Sequence, residues 1–294
     1  MLNNEVTVLI PAYNEEEFIE EAVESIVDQV QQIIISDNCS SDNTVKICKK
    51  LSGKYANIVL YEQSENIGSS KNGGFLFSKV KTKFVMCMGA HDRVAPDYVA
   101  TLLKAFKDKD VVLSYGKEHR INHDGKLLEI LDLDDIKGTF SSSPFERVYT
   151  IIDKLNRPSI SIVFGIFKTN ILRQAIVFNS EAAIDHVWLC RTAIHGKFKK
   201  SNDTFFEQRI INREENDKTY MKRIQGKYYA SGNAKNLAYM ITSQIEAIDS
   251  IVTKDVIEKR YYCELARKSL KQRYAGRGGR VDYRPVVDSC ILKL

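Results

Sequence analysis

The chain has 294 residues, of which 44% are hydrophobic and 28% charged, with only 15 Gly and 5 Pro. That balance excludes a disordered, fibrous or low-complexity chain and provides for one large domain, or one plus an appendage, at roughly 100–200 residues per domain. The net charge of +5, from 43 basic and 38 acidic residues, is too mild to argue for a nucleic-acid partner, and no apolar run approaches the roughly 20 residues of a membrane-spanning helix.

The opening stretch MLNNEVTVLIPAYNEEE lacks the basic n-region, long apolar core and cleavage site of a secretory signal, so a cytoplasmic protein is expected. Residues 6–10 (VTVLI) form a short apolar run that Pro11 ends. From Glu15 to Gln29 the residues Phe18, Ile19, Ala22, Val23, Ile26 and Val27 recur at helical spacing. A strand at 33–36 (IIIS) follows, then a helix from about Asp42 to Leu51 with Asp42 as its N-cap. NIVLY (57–61), a helix near 70–79 and KFVMCM (83–88) continue the alternation. β-rich runs separated by helices predict an α/β fold, a mostly parallel sheet flanked by helices. A ligand site is expected at the carboxyl ends of its strands.

Further on, VVLSY (111–115) and SIVFGIF (161–167) read as strands, and Ile121 to Gly125 as a hairpin turn. Ser143 to Leu155 and Glu181 to Ile194 read as helices. From about Ala234 to Tyr274, Leu237, Ile241, Ile245, Ile248 and Val252 share one helical face. This predicts a division into a domain at 1–228 and a helical, basic C-terminal region at 229–294. The six cysteines form no CxxC pair, which favours reduced thiols over a disulfide framework or a zinc site.

Each of the first four strands is followed by a polar loop: Pro11-Ala12-Tyr13-Asn14-Glu15, then Asp37-Asn38-Cys39-Ser40-Ser41-Asp42-Asn43-Thr44, then Glu65-Asn66-Ile67-Gly68 leading to Lys71, then Gly89-Ala90-His91-Asp92-Arg93-Val94-Ala95-Pro96. One such loop would mean little, because turns favour these residues. Four would share one rim of a parallel sheet.

In this order and spacing, IPAYNEE, SDNCSSDNT, ENIGSSKNGG and the D-x-x-x-P segment resemble the family 2 glycosyltransferases of GT-A fold, over roughly residues 5–215. The resemblance implies an inverting transferase that moves a sugar from a nucleotide diphosphate, most often UDP, to a hydroxyl of a glycan or lipid-linked acceptor in capsule, O-antigen or other surface polysaccharide synthesis. It assigns Pro11, Tyr13, Glu15, Asp37, Asn66, Lys71, Ala90 and Asp92 to the nucleotide-sugar. Tyr13 would stack on the base, and Asp37 would accept a ring N–H. Lys71 would bring a point charge near the phosphates. Tyr13 packing on the sheet edge and Asp37 closing an Asx-turn are the structural alternatives, and the turn role is preferred for Asp42 and Thr44.

The metal segment departs from the family pattern D-x-D-D. Asp92 matches the last acid, His91 falls on the ligating acid and Gly89 on the first. Imidazole suits Mn²⁺ better than Mg²⁺, so the resemblance implies a divalent ion, Mn²⁺ or Mg²⁺, at His91 and Asp92. Asp185, in Asp185-His186-Val187-Trp188-Leu189-Cys190-Arg191, takes the position of the general base, with Ile184 where a glutamate is usual. An acid at a helix N-terminus is the bland alternative. Trp188 reads as core before acceptor platform. Arg209 and Arg213 read equally as phosphate contacts or as a solvated face.

The basic residues Lys259, Arg260, Arg267, Lys268, Arg273, Arg277 and Arg280 suit peripheral docking to anionic lipid at the inner face of the cytoplasmic membrane; a solvated helix face or a self-association surface suits them equally. No interleaved aromatics on a recognised module accompany them, so nucleic acid is not an expected partner. A second reading, a nucleotide-sugar binder or scaffold without turnover, rests on Gly89-Ala90-His91 alone. A nucleotidyltransferase is disfavoured, because no Gly- and Arg-rich phosphate loop follows the first strand.

Overall fold

The computed structural model describes residues 5–131, 134–154, 161–176 and 184–211. The amphipathic stretch after Ala234, the basic residues from Lys259 on, Arg213, and the expected boundary at 228/229 lie outside them. The chain divides into two units. Among the described residues, one takes 5–131, 161–170 and 200–211, and the other 134–154, 171–176 and 184–199.

In chain order the strands are β1 (Val6–Ala12), β2 (Gln32–Asp37), β3 (Ile58–Glu62), β4 (Phe84–Cys87), β5 (Arg93–Val94), β6 (Val111–Ile121), β7 (Leu127–Leu131), β8 (Ile166–Lys168) and β9 (Lys197–Arg209). The helices are α1 (Ile19–Glu24), α2 (Thr44–Lys54), α3 (Ser69–Ser78), α4 (Tyr98–Leu103), α5 (Pro144–Lys154), α6 (Thr169–Ala175) and α7 (Ile184–His195).

The sheet runs β3-β2-β1-β4-β8-β6-β9-β5, with β7 paired to β6. The β1–β2, β2–β3 and β1–β4 pairings are parallel; β4–β8, β6–β8, β6–β7 and β5–β9 are antiparallel. The parallel half is the part whose strands read as unbroken apolar runs. Val6, Val8 and Ile10 on one face of β1, Leu9 on the other, and Ile33, Ile34 and Ile35 of β2 are all buried, as strands covered on both faces must be. Register places Ala12 beside Asp37 and Asp37 beside Glu62, while the Met88 N–H continues from β4 onto the Leu9 carbonyl at 3.0 Å. The loops after these four strands therefore leave the sheet along one rim.

Three elements differ from the sequence expectation. The helix predicted over 15–29 is α1 followed by a 3₁₀ turn at Val27–Gln29. The Ser25 hydroxyl binds the Ala22 carbonyl at 2.8 Å, and the Ile26 N–H reaches back only three residues to Val23, so the last turn tightens. The strand predicted over 161–167 is a 3₁₀ turn at Ser161–Phe164 and then β8. Gly165 separates them, with its backbone so close to the Ser114 carbonyl that a Cβ would overlap it. The N-cap of α2 is Asn43 and not Asp42. Asp42 still serves the helix start, since its carboxylate takes the Thr44 N–H at 2.9 Å and the Thr44 hydroxyl at 2.5 Å. The expected hairpin turn is present: the Asn122 N–H meets the Lys126 carbonyl at 2.9 Å, and Gly125 sits at φ 78°.

In the second unit α5 and α7 pack together, and Val148, Ile151 and Ile152 of α5 and Leu189, Cys190 and Ala193 of α7 are all buried. Arg147, also buried, donates through Nε to the Ala193 carbonyl at 2.8 Å and through a terminal nitrogen to Ile194 at 3.2 Å. It thereby satisfies the last carbonyls of α7, which lack intrahelical partners. Trp188 is half-buried. Among the described residues Cys39, Cys48, Cys87 and Cys190 carry free thiols, and burial pushes the Cys48 thiol up to about 12. No helix of the described residues is long and apolar enough to cross a membrane.

Candidate active site

The rim loops hold one another. Asn14, in the left-handed region at φ 56°, accepts the Ser41 N–H on Oδ1 at 2.8 Å, and its own N–H donates to Ser40 Oγ at 2.9 Å. The Ser40 hydroxyl and N–H in turn donate to the Asp37 carboxylate. The Glu15 N–H binds Thr44 Oγ1 at 2.8 Å, and Glu16 Oε2 receives the Asn43 N–H at 2.8 Å. One loop further along, Asn38 Nδ2 donates to Asn66 Oδ1 at 3.0 Å, and the same oxygen accepts the Gly68 N–H at 2.9 Å. Much of the polarity that marked these loops in the sequence thus fixes their shape.

Among the expected donor residues, Asp37 is buried with both carboxylate oxygens engaged by Ser40, which is the turn role; each oxygen retains a second lone pair for a further donor. Asn66 is half-buried and braces the third loop onto Asn38. Tyr13 is half-buried, Pro11 and Lys71 are exposed, and Ala90 is buried. Lys71 lies in the first turn of α3.

The structure brings three expected residues into direct contact. His91 Nδ1 lies 3.1 and 3.2 Å from the two Glu15 oxygens, and its Nε2 lies 3.9 Å from Asp92 Oδ1. The His91 side chain retains 23% exposure and Asp92 only 2%. Burial pushes the Asp92 carboxyl above the usual carboxylate range; the neighbouring His91 ring and the Arg209 N–H pull it down, and Glu15 pushes it further up.

Arg209 is a site residue that sequence reasoning placed wrongly. It is neither a solvated cation nor a free phosphate contact, because it is buried and every part of its guanidinium is engaged. Its backbone N–H donates to Asp92 Oδ1 at 2.9 Å and its Nε to the His91 carbonyl at 2.9 Å. One terminal nitrogen reaches the carbonyls of Asn122 and His123, and the other binds Glu21 Oε2 at 2.5 Å. The group also lies 4.8 Å from the centre of the Phe18 ring. Its partners are 87 and 118 positions away for Asn122 and His91, and 188 for Glu21, so no local pattern could have signalled the role.

Asp185 is the second residue of α7, in the other unit. It is half-buried by surface, and desolvation pushes its carboxyl up from 3.8 to about 6.

The described residues contain no cluster of three or more His, Cys, Asp or Glu able to enclose a metal ion. They fit one in a narrower sense. His91 and Asp92 form a two-donor edge, and divalent ions in phosphate sites are commonly held by one or two protein groups with the remaining ligands supplied by water and the substrate's phosphates.

A parallel 3-2-1-4 half-sheet continued by antiparallel strands, with polar loops along the strand ends and an acid–imidazole pair after the fourth, defines a glycosyltransferase of GT-A fold. The family model for glycosyl transferase family 2 matches residues 7–177, and the chain belongs to that family. Among curated relatives, the hyaluronan synthase of Pasteurella multocida is 26% identical over 226 residues, covering 74% of this chain and 21% of that protein. The chondroitin synthase of Pasteurella multocida strain Pm70 is 28% identical over 204 residues, covering 67% and 20%. The chain thus spans about a fifth of the length of these relatives. Among solved structures, S. aureus TarS 1–349 in complex with UDP-GlcNAc superposes with a TM-score of 0.68 at 16% identity, over 97% of this chain and 79% of that one. The mannosyltransferase PcManGT from Pyrobaculum calidifontis, in complex with GDP-Man and Mn²⁺, gives 0.55 at 15% identity over 97% and 79%. At these identities the likenesses establish the fold.

Proposed function

We propose that this chain transfers a sugar, with inversion, from a UDP-sugar to a hydroxyl of a surface polysaccharide or its lipid-linked precursor. The observation that carries the reading is the convergence of Glu15, His91 and Asp92, from loops 76 residues apart, at the strand ends where an α/β sheet binds its ligand. The UDP-GlcNAc held by the TarS neighbour supports a uridine donor. The two polysaccharide synthases and the minor teichoic acid biosynthesis protein GgaB of Bacillus subtilis, 27% identical over 149 residues, support a surface-glycan acceptor.

In this reading Tyr13 and Asp37 hold the base and Lys71 lies beside the diphosphate; His91 and Asp92 would hold a divalent ion, which when bound would supply positive charge to the leaving diphosphate. Asp185 takes the proton of the acceptor hydroxyl as that hydroxyl attacks the anomeric carbon. A carboxyl near 6 is mostly ionised at neutral pH yet more basic than an ordinary aspartate, as a general base requires. The basic residues beyond Lys254 would hold the protein against anionic lipid. The test is UDP release from a panel of UDP-sugars with Mn²⁺ and an acceptor glycan. Release by the wild type, abolished in Asp185→Asn with UDP binding retained, supports the reading. UDP binding without release from any donor and acceptor supports the binder without turnover.

A further inference from the structure

The Glu15 carboxylate does not have the surroundings of a donor contact. A carboxylate pointed at a diphosphate would repel it, whereas here both Glu15 oxygens face His91 Nδ1 at 3.1 and 3.2 Å. A carboxylate only accepts hydrogen bonds, so the nitrogen facing it carries the proton. Both halves of the pair are anchored through the backbone. Glu15 follows the left-handed Asn14, and its N–H is held by Thr44 Oγ1 at 2.8 Å. The His91 carbonyl and the next side chain, Asp92, are each held by Arg209 at 2.9 Å. The opposite ring nitrogen, Nε2, lies on the side of Asp92 Oδ1, 3.7 Å from where a Cβ on Gly89 would stand.

We propose that Glu15 is a positioning residue for His91. Its carboxylate keeps the proton on Nδ1 and sets the rotation of the ring, so that Nε2 beside the Asp92 carboxylate is the nitrogen presented to a divalent cation arriving with the donor's diphosphate. Metal-binding histidines commonly donate their second nitrogen to a carboxylate in this way. The inference rests on the donor-site reading above and reassigns Glu15 from contacting the nucleotide-sugar to orienting the residue that holds the cation.

Two readouts on the full chain test it. The first is the His91 tautomer, read from long-range ¹⁵N–¹H correlations on histidine-labelled protein without metal or nucleotide. The wild type and Glu15→Gln, whose amide oxygen still accepts from Nδ1–H, show the proton on Nδ1; Glu15→Ala moves it towards Nε2. The second is Mn²⁺ binding in the presence of UDP, followed by the loss of the free-ion paramagnetic signal. Glu15→Ala weakens it by roughly 10–100-fold, Glu15→Gln retains most of the affinity, and in a His91→Ala background Glu15→Ala changes nothing further. An unchanged tautomer in Glu15→Ala overturns the proposal. Equal loss of Mn²⁺ in Ala and Gln variants overturns it in favour of direct ion contact by the carboxylate. A wild type that binds UDP but no Mn²⁺ overturns it and leaves the donor reading standing, whereas absence of UDP binding removes the donor reading itself.

Discussion

A side chain at position 89 and the Asp92 carboxylate compete for one volume. A Cβ on Gly89 would overlap Asp92 Oδ2 and stand 3.1 Å from its Cγ. The first acid of the family's metal segment is therefore not simply missing; Asp92 has folded into its space, held there by the Arg209 N–H. Restoring the family residue should fail for this reason. Gly89→Asp is expected to cost about 1–3 kcal/mol, the usual range for overpacking a filled site, and to weaken Mn²⁺ binding. Urea denaturation and an Mn²⁺ titration check the two halves, and an Mn²⁺ affinity above wild type would refute the steric account.

Arg209 ties the metal segment to the hairpin turn and to α1. Arg209→Lys retains the charge but not the planar fork, and leaves the carbonyls of His91, Asn122 and His123 without their donor. We expect a loss of roughly 1.5–3 kcal/mol, the scale for a hydrogen bond from a charged group, and nearly the same from Arg209→Ala. The exposed Arg93–Glu21 arm of the network adds little, as surface pairs do. Denaturation midpoints of the two variants provide the comparison.

Asp185 fixes a pH dependence with a definite sign. Its carboxyl is raised from 3.8 to about 6 in the folded protein, so the folded state holds this proton more tightly than the unfolded one. Its contribution to stability is greatest below about pH 4, falls as pH rises to about 6, and stays reduced above that. Asp185→Asn is therefore neutral or stabilising at pH 7.5. With Asp185 as the proposed base, catalysis is expected to run the other way: kcat/KM should rise with pH to a plateau, with a limb near 6, because that base works ionised. A pH–rate profile set beside melting curves at pH 5 and 7.5 reads both trends.

The imidazole at position 91 predicts which cation is preferred. Mn²⁺ should support UDP binding better than Mg²⁺, since nitrogen ligands suit it better. His91→Asp should move the preference towards Mg²⁺, and chelation with EDTA should weaken UDP binding in both. Calorimetric titration with UDP under each ion measures the ratio; equal affinities in wild type with and without metal would remove the ion from the donor site.

What the sequence determined by itself is the α/β order and the rim. The runs VTVLI and IIIS, without polar alternation and separated by helical segments, read as strands covered on both faces, and NIVLY as a third strand, which lies half-buried at the edge of the sheet. The polar loops that end them had to fall together once the strands were parallel. The segment 161–167 was not legible in the same way: a short apolar run is buried equally well as a strand or a 3₁₀ turn, and the structure divides it between a 3₁₀ turn at Ser161–Phe164 and the strand β8. The site was legible as a set of residues but not as a set of contacts. His91 and Asp92 were marked by the metal segment, yet that Glu15 faces the imidazole, that Arg209 is buried beneath the pair and that Asp92 fills the space over Gly89 are decided by tertiary structure alone. Glu15 and His91 lie 76 positions apart and Arg209 and Asp92 117, and even between Gly89 and Asp92 the contact depends on distance and direction in space, which residue spacing along the chain does not encode.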